Sequence, residues 1–265
     1  MAVGSVNNTS AFTAYSNYAS STAKLGQSMN RLSTGQKSSM DDGAGVGISE
    51  RMRAQARGTA MARQNVENSI SALQTADSWM QRVNDILTRM SELTIEAQDG
   101  TMATSDITNI QAEFTALREE VGTIVSGRAK FNGTDLLNGF SATTQVGADS
   151  GQTVTVKVNS LTAVATSLSA LSVDAATAIS VMASAVNIVA EARAAAGGLQ
   201  SRLDHTRAGL LTYEDNIKAA ESKIRDIDMA RESSEMMKQN ILSQVGTSIL
   251  AQANQQTQSV LKLVG

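Results

Sequence analysis

Few side chains in this chain of 265 residues are of the types that carry out covalent chemistry. Cysteine is absent, which excludes disulfides, thiolate catalysis and cysteine metal sites. His205 is the single histidine. A zinc-protease helix needs two histidines at i and i+4, so His205 has no partner for a metal pair or a thiol dyad. It sits within a helical pattern and reads as exposed or at a seam edge. The run Gly43-Ala44-Gly45-Val46-Gly47 has no preceding strand and no Gly-Lys-Ser/Thr after it, so it reads as a flexible turn rather than a phosphate loop. Met80, Met90 and Met182 recur at helical spacing and read as core filler. The sequence therefore predicts no catalytic residue, no cofactor and no metal site, and the chain reads as a non-enzyme.

The charged residues Asp41, Asp42, Arg51 and Arg53 admit two readings. One is a solvated turn and helix face, and the other is a set of charge-paired contacts between copies of the chain that fix register. Surface pairs of that kind contribute only about 0–1 kcal/mol each. A net charge of −3 with mixed signs gives no electrostatic case for nucleic acid or an anionic membrane surface. No run approaches eighteen consecutive apolar residues, so membrane insertion is not expected. The first thirty residues show no basic region followed by an apolar one, so no cleaved secretory signal is expected. Aromatics are 3% and proline is absent, a composition that suits long uninterrupted helices packed through small and aliphatic side chains.

The elements that must position these residues are helical. Val66, Ile70, Leu73, Ala76, Met80, Val83, Leu87, Met90, Leu93 and Ala97 recur at a mean step of about 3.4, close to the 3.5 of a coiled-coil seam. Asp99-Gly100 is the expected stop, with glycine at the C-terminal position. Ser105 or Asp106 is the expected N-cap of a second helix carrying Ile107, Ile110, Phe114, Leu117, Val121 and Ile124. Thr143 to Val146 and Thr153 to Val158 alternate as a half-buried hairpin does. A long helix is predicted from about Asp174 past Ile227, with Ile179, Met182, Val186, Val189, Leu199, Leu203, Leu210 and Tyr213 on its stripe. Gly197-Gly198 is a candidate kink.

The two ends are weaker. Phe12, Tyr15, Tyr18, Leu25, Met29 and Leu32 form a narrow stripe before Gly35. Met237, Ile241, Val245, Ile249, Ala253, Val260, Leu261 and Val264 form another in a Gln-rich, weakly charged segment. Ordering about 30 residues costs about 1–2 kcal/mol each, more than such stripes offset alone. Each stripe is either an ordinary intramolecular helix or one completed by a neighbouring copy. The expected fold is mainly α: an elongated antiparallel helical bundle or coiled coil with a small β-hairpin and amphipathic terminal helices. Its segments are 1–40, 41–233 (helices 44–99 and 105–128, hairpin region 129–173, long helix 174–233) and 234–265.

Several motifs resemble those of bacterial flagellins. Leu32-Ser33-Thr34-Gly35 and the stretch from Asp41-Asp42-Gly43 through Ile48-Ser49-Glu50-Arg51-Met52-Arg53-Ala54-Gln55 resemble that family's N-terminal segment. Asn109-Ile110-Gln111-Ala112-Glu113-Phe114 and Phe131-Asn132-Gly133-Thr134 continue the resemblance. Ser222-Lys223-Ile224-Arg225-Asp226-Ile227-Asp228-Met229-Ala230 and Ile249-Leu250-Ala251-Gln252-Ala253-Asn254-Gln255 resemble its C-terminal signature. The matches cover nearly all of the chain except about 141–180, which implies a short form lacking the outer variable domains. Phe12, Tyr15 and Tyr18 stand where aliphatics are usual, Thr257 where proline is common, and Leu263-Val264-Gly265 replaces a terminal leucine pair.

The resemblance implies a filament subunit that is exported unfolded, polymerises for swimming motility and folds its ends on assembly. It implies subunit contacts at Asp41, Asp42, Arg51, Arg53, Ile241, Val245, Ile249, Ala253, Asn254, Val260 and Leu261. Implied partners are further copies of itself, the filament cap and hook-associated proteins, and an export chaperone on the C-terminal segment. Arg89, Leu93 and Glu113 match positions read by the vertebrate flagellin-sensing Toll-like receptor, although Thr88, Ser91, Ile95 and Glu96 depart from the usual motif. The location implied is extracellular. The rival readings are a hook–filament junction protein and a secreted coiled-coil scaffold.

Overall fold

The computed structural model describes residues 9–173 and 176–264, with side chains described through residue 255. The elements in chain order are α1 (Thr9–Thr34), α2 (Gly43–Glu96), α3 (Thr104–Thr123), a π turn (Ile124–Arg128), β1 (Lys130–Phe131), β2 (Thr134–Asp135), β3 (Ser141–Gln145), β4 (Thr153–Lys157), α4 (Thr162–Ser169), α5 (Ala178–Arg225) and α6 (Met229–Val264). They form two compact units, one of residues 54–217 and one of residues 1–53 with 218–265. Helices α2 and α5 each contribute to both.

The 54–217 unit holds the hydrophobic core. All ten residues of the predicted α2 seam, Val66 through Ala97, are buried. On α3 and the π turn, Ile110, Phe114, Val121 and Ile124 are buried as their spacing predicts, with Ile107 and Leu117 packed against them. Helix α5 runs antiparallel to α2, since Arg193 Nε donates to Asp77 Oδ1 at 2.8 Å while Gln55 Nε2 donates to the Tyr213 hydroxyl at 2.5 Å. Its buried face in this unit differs from the predicted stripe. Ala178, Met182, Ala185, Val189, Ala192, Ala196 and Leu203 are buried, whereas Ile179 and Tyr213 are exposed. A reading weighted towards large apolar residues passes over a buried face made largely of alanine. Gly197-Gly198 cause no break, and α5 is continuous through them.

The hairpin is an antiparallel pair with Ala142 opposite Val156 and Thr144 opposite Val154. Val154, Val156 and Val158 point into the core while Thr153, Thr155 and Lys157 face out, the period-2 alternation of a one-sided sheet. The hairpin docks on α2. Asn65 Nδ2 donates to Gln145 O at 3.4 Å, the Ser69 and Thr144 hydroxyls are 2.7 Å apart, and Ala148 Cβ would lie 2.9 Å from a Cβ at Gly58. A glycine at 58 is what lets the hairpin loop reach the helix.

Other local expectations change. Gly100 lacks a positive φ, and the Asp99 carboxylate turns the chain instead, accepting from the Thr101 N–H at 3.0 Å and its hydroxyl at 2.9 Å. The α3 N-cap is Ala103, with no side-chain cap, and Asp106 lies in the first turn, where its charge favours the helix dipole. Within 129–173 the chain also forms α4, burying Val164 and Leu168 at i and i+4. Two turns of Thr, Ser and Ala are too short to show a helical period in sequence. The predicted start of α5 near Asp174 lies outside the described residues. By length and composition α5 is apolar enough to cross a membrane, a property of its alanine-rich average rather than of any long apolar run. One face of it, Ala178, Met182, Ala185, Val189, Ala192, Ala196 and Leu203, belongs to this core.

Trp79, the single tryptophan, packs against this core and reports on it. Leu87→Ala is expected to lower the unfolding free energy followed by its fluorescence in urea by about 2–5 kcal/mol, because the cavity cannot close. Ile241→Ala, outside this unit, should change the same transition by less than about 0.5 kcal/mol.

Candidate assembly surface

The unit of the two chain ends is built differently. Helices α1 and α6 pack along their length and run antiparallel, as the Arg31–Glu232 pair and the contact of Tyr18 with Gly246 require. Among the described residues no side chain of α1 or α6 belongs to the hydrophobic core. The buried side chains here are polar: Ser28, Ser49 and Gln239. Large apolar groups face outwards, with Phe12 76%, Tyr15 61% and Ile241 60% exposed, and Leu242, Val245 and Ile249 also exposed. A groove of about 530 Å³ between the helices is lined by Thr13, Tyr18, Leu242, Val245, Gly246 and Ile249 among others. A Cβ at Gly246 would come within 3.3 Å of the Tyr18 ring, so the ring seats on a glycine notch.

The loops that join these helices to α2 and α5 are pinned together. Gly35, at φ +70°, ends α1 in the left-handed conformation, its N–H donating to Arg31 O at 2.7 Å. The chain then bridges to the segment after α5, with Lys37 N–H donating to Arg225 O at 2.8 Å and Ile227 N–H to Gly35 O at 3.2 Å. This bridge interrupts the helix predicted to run past Ile227. Asp228 restarts it as the α6 cap, Oδ1 accepting from the N–H groups of Ala230 at 3.0 Å and Arg231 at 3.2 Å.

The described residues place most of the site residues expected from sequence. Asp41 accepts two bonds from the Arg31 guanidinium, at 3.0 Å from Nε and 2.6 Å from the terminal nitrogen, and a third from Ser38 N–H at 2.9 Å. Arg31 also reaches Glu232 at 3.3 Å. These hydrogen bonds, Arg31 first, hold the Asp41 carboxyl well below the usual carboxylate range. Asp42 caps α2, accepting from Gly45 N–H at 2.8 Å, and a Cβ at Gly45 would collide with that carboxylate. Glu50 pairs with Arg53 at 3.6 Å and with Arg225, and Arg51 is exposed. Thus Asp41 and Asp42 have partners within the chain. Val245, Ile249 and Asn254 are exposed and Ala253 is half-buried. The side chains of Val260 and Leu261 lie outside the described residues. In the other unit Arg89 donates to Glu113 at 2.9 Å and both are exposed. Leu93 is 1% exposed and belongs to the core, so it offers no surface to a receptor. The seam period demands its burial.

Sequence reasoning missed Arg31, Glu232, Asp228 and Gly246. Asp228 before a helical run carried a legible cap signal. The Arg31–Asp41–Glu232 cluster joins residues up to 201 positions apart, which no local pattern reports.

The family model for the bacterial flagellin N-terminal helical region matches residues 6–142, and that for the flagellin C-terminal helical region matches residues 179–264. The chain belongs to the flagellin family. It is a structural filament protein, not an enzyme. It is 37% identical to "Flagellin FlaB2" of Treponema pallidum (strain Nichols), over 90% of this chain and 91% of the relative. It is 38% identical to "Flagellin" of Bacillus subtilis (strain 168), over 90% and 92%. The crystal structure of Bacillus cereus flagellin is similar to 56% of this chain and 88% of its own, with a TM-score of 0.51 at 28% identity. Between the two flagellin regions the described residues form only the rest of the hairpin, α4 and their loops, and the chain is a short form without a variable domain.

Because the Asp41 pKa is depressed in the folded chain, its pairing with Arg31 stabilises the paired ends fully above pH 3.8 and loses effect as the pH falls below that value. The urea midpoint for dissolving assembled filaments, in which the ends are paired, followed by light scattering, should therefore drop below pH 3.8 in the parent chain. Asp41→Asn should lower that midpoint at neutral pH and flatten its acid dependence. Gly246→Val should also lower it, by wedging Tyr18 out of the notch.

Proposed function

We propose that this flagellin polymerises through coupled folding and assembly, the exposed apolar face of α1 and α6 being covered by neighbouring copies. The observation that supports this reading is the division of burial. The 54–217 unit carries the whole described hydrophobic core, while the paired ends bury Ser28, Ser49 and Gln239 and expose Phe12, Tyr15, Ile241, Val245 and Ile249. Ordering α1 and α6 costs about 1–2 kcal/mol per residue, which their mutual contact alone does not offset. Apolar area covered in a polymer offsets it at about 25 cal/mol per Å². A contact between unlike surfaces that does not close on itself generates a helical filament.

Ile241, Val245, Ile249, Ala253, Asn254, Val260 and Leu261 then act as contacts between subunits, with Arg51 available for a charge pair. Asp41, Asp42 and Arg53 act indirectly, by fixing the joint between the ends and the first turns of α2. Before assembly the chain is exported unfolded, with a chaperone on the C-terminal segment, and it adds to an extracellular polymer beneath cap and hook-associated proteins. The exposed Arg89–Glu113 pair is a candidate contact for the vertebrate flagellin receptor. Similarity to flagellins along about 90% of the chain favours this reading over a junction protein or a scaffold.

Seeded polymerisation of purified chain, followed by electron microscopy, tests the proposal. Full-length protein should give long filaments, and chains lacking residues 1–30 or 235–265 should give none. Ile241→Asp with Val245→Asp should raise the critical concentration at least about tenfold, the effect of burying an unpaired charge. Seeded full-length protein that stayed monomeric with ordered end amides would sink the coupled-folding account.

A further inference from the structure

In a chain without cysteine, the readily oxidised side chains are the methionines, and this one has twelve. Their exposure differs widely. Met80, Met90 and Met182 are 0% exposed in the core of the 54–217 unit. Met40 is 87% exposed, Met237 61%, Met29 57% and Met229 52%. All four of these lie in the unit of the chain ends, while Met61, 59% exposed on α2, lies in the other unit and outside the α1–α6 pair. Met29 is on α1, Met40 is in the loop after it, Met229 opens α6, and Met237 lies one turn before Ile241 at i and i+4. None of the four belongs to the hydrophobic core.

We propose that Met29, Met40, Met229 and Met237 form a modification site for peroxide oxidants, and that their sulfoxidation blocks the covering of the chain ends by further copies. The second half of this statement rests on the assembly reading above. In the step itself a thioether sulfur lone pair attacks one oxygen of hydrogen peroxide and the O–O bond breaks. The sulfur becomes a sulfoxide in a two-electron oxidation. The departing oxygen takes up the proton and leaves as water. Each sulfoxide is a polar acceptor where a flexible apolar group stood. On the face that Met237 shares with Ile241, covering that acceptor removes its water without supplying a donor. The buried thioethers are chemically identical, so exposure alone sets the selectivity.

The test treats full-length native protein with hydrogen peroxide, maps oxygen uptake by peptide mass spectrometry, and compares seeded polymerisation before and after treatment. Met29, Met40, Met229 and Met237, and Met61 with them, should each gain one oxygen while Met80, Met90 and Met182 stay unmodified; Met61 stays oxidised in the leucine variants and so serves as an internal control. The critical concentration should rise about tenfold, the size expected when one polar group is buried unpaired. In M29L/M40L/M229L/M237L the ratio of treated to untreated critical concentration should return close to one. If the fourfold variant fails to polymerise untreated, M29L/M237L is expected to recover most of the effect. Equal oxidation of Met80 and Met237 in native protein would overturn the site. Unchanged polymerisation of the oxidised chain, or an equal loss in the leucine variants, would overturn its role. Failure of untreated parent chain to polymerise would overturn the assembly reading and this role together, while the oxidation map would still decide the site.

Discussion

Burial in the 54–217 unit depends on how α5 meets the α2 seam, because a stripe of Val, Leu, Ile and Met is stable only when another surface removes it from water. Ala178, Ala185, Ala192 and Ala196 of α5 are buried in the same core, together with Met182, Val189 and Leu203. Phe114 and Ile124 close a second side, and the valines of the hairpin a third. Hydrogen bonds at this interface fix register rather than supply the bulk of the stability. Asp77–Arg193 and Ser69–Thr144 are each worth on the order of 1 kcal/mol against a core of more than thirty apolar side chains.

Among the described residues the chain ends lack an equivalent of that core. Their pairing relies on a glycine notch under Tyr18, on polar side chains such as Gln239, and on a joint held by backbone bonds and charges. Arg31 is central to the joint, since one guanidinium reaches Asp41 through two nitrogens and Glu232 through a third. Bidentate pairing of this sort holds direction as well as distance, which suits a place where two loops must be kept in register. Asp42 and Asp228 cap the helices that leave the joint, so its acidic residues have structural tasks.

These two kinds of construction suit a filament protein. A self-sufficient core gives each subunit a fixed body, while in the proposed assembly the ends, with their outward apolar groups, gain stability when another copy covers them. The same exposure leaves thioethers of the ends open to oxidants and keeps those of the core shielded. Assembly competence and chemical vulnerability thus share one physical origin.

The α2 seam, the α3 stripe and the Val154, Val156 and Val158 alternation are local periodicities, so the sequence by itself determined a mainly α fold with a hairpin and the identity of most core positions. It also determined family membership, because the matching motifs are contiguous stretches. Tertiary structure decided the rest. The face that α5 buries depends on alanines, whose hydrophobicity is too small to mark a stripe alone. The break at 226–228 depends on a bridge to Gly35 and Lys37, far away in sequence. The burial of Leu93 was already written in the seam spacing, but Asp41 admitted a solvated or an intermolecular reading until Arg31 was placed beside it. Contacts of this kind are set by three-dimensional proximity, on which local spacing carries no information.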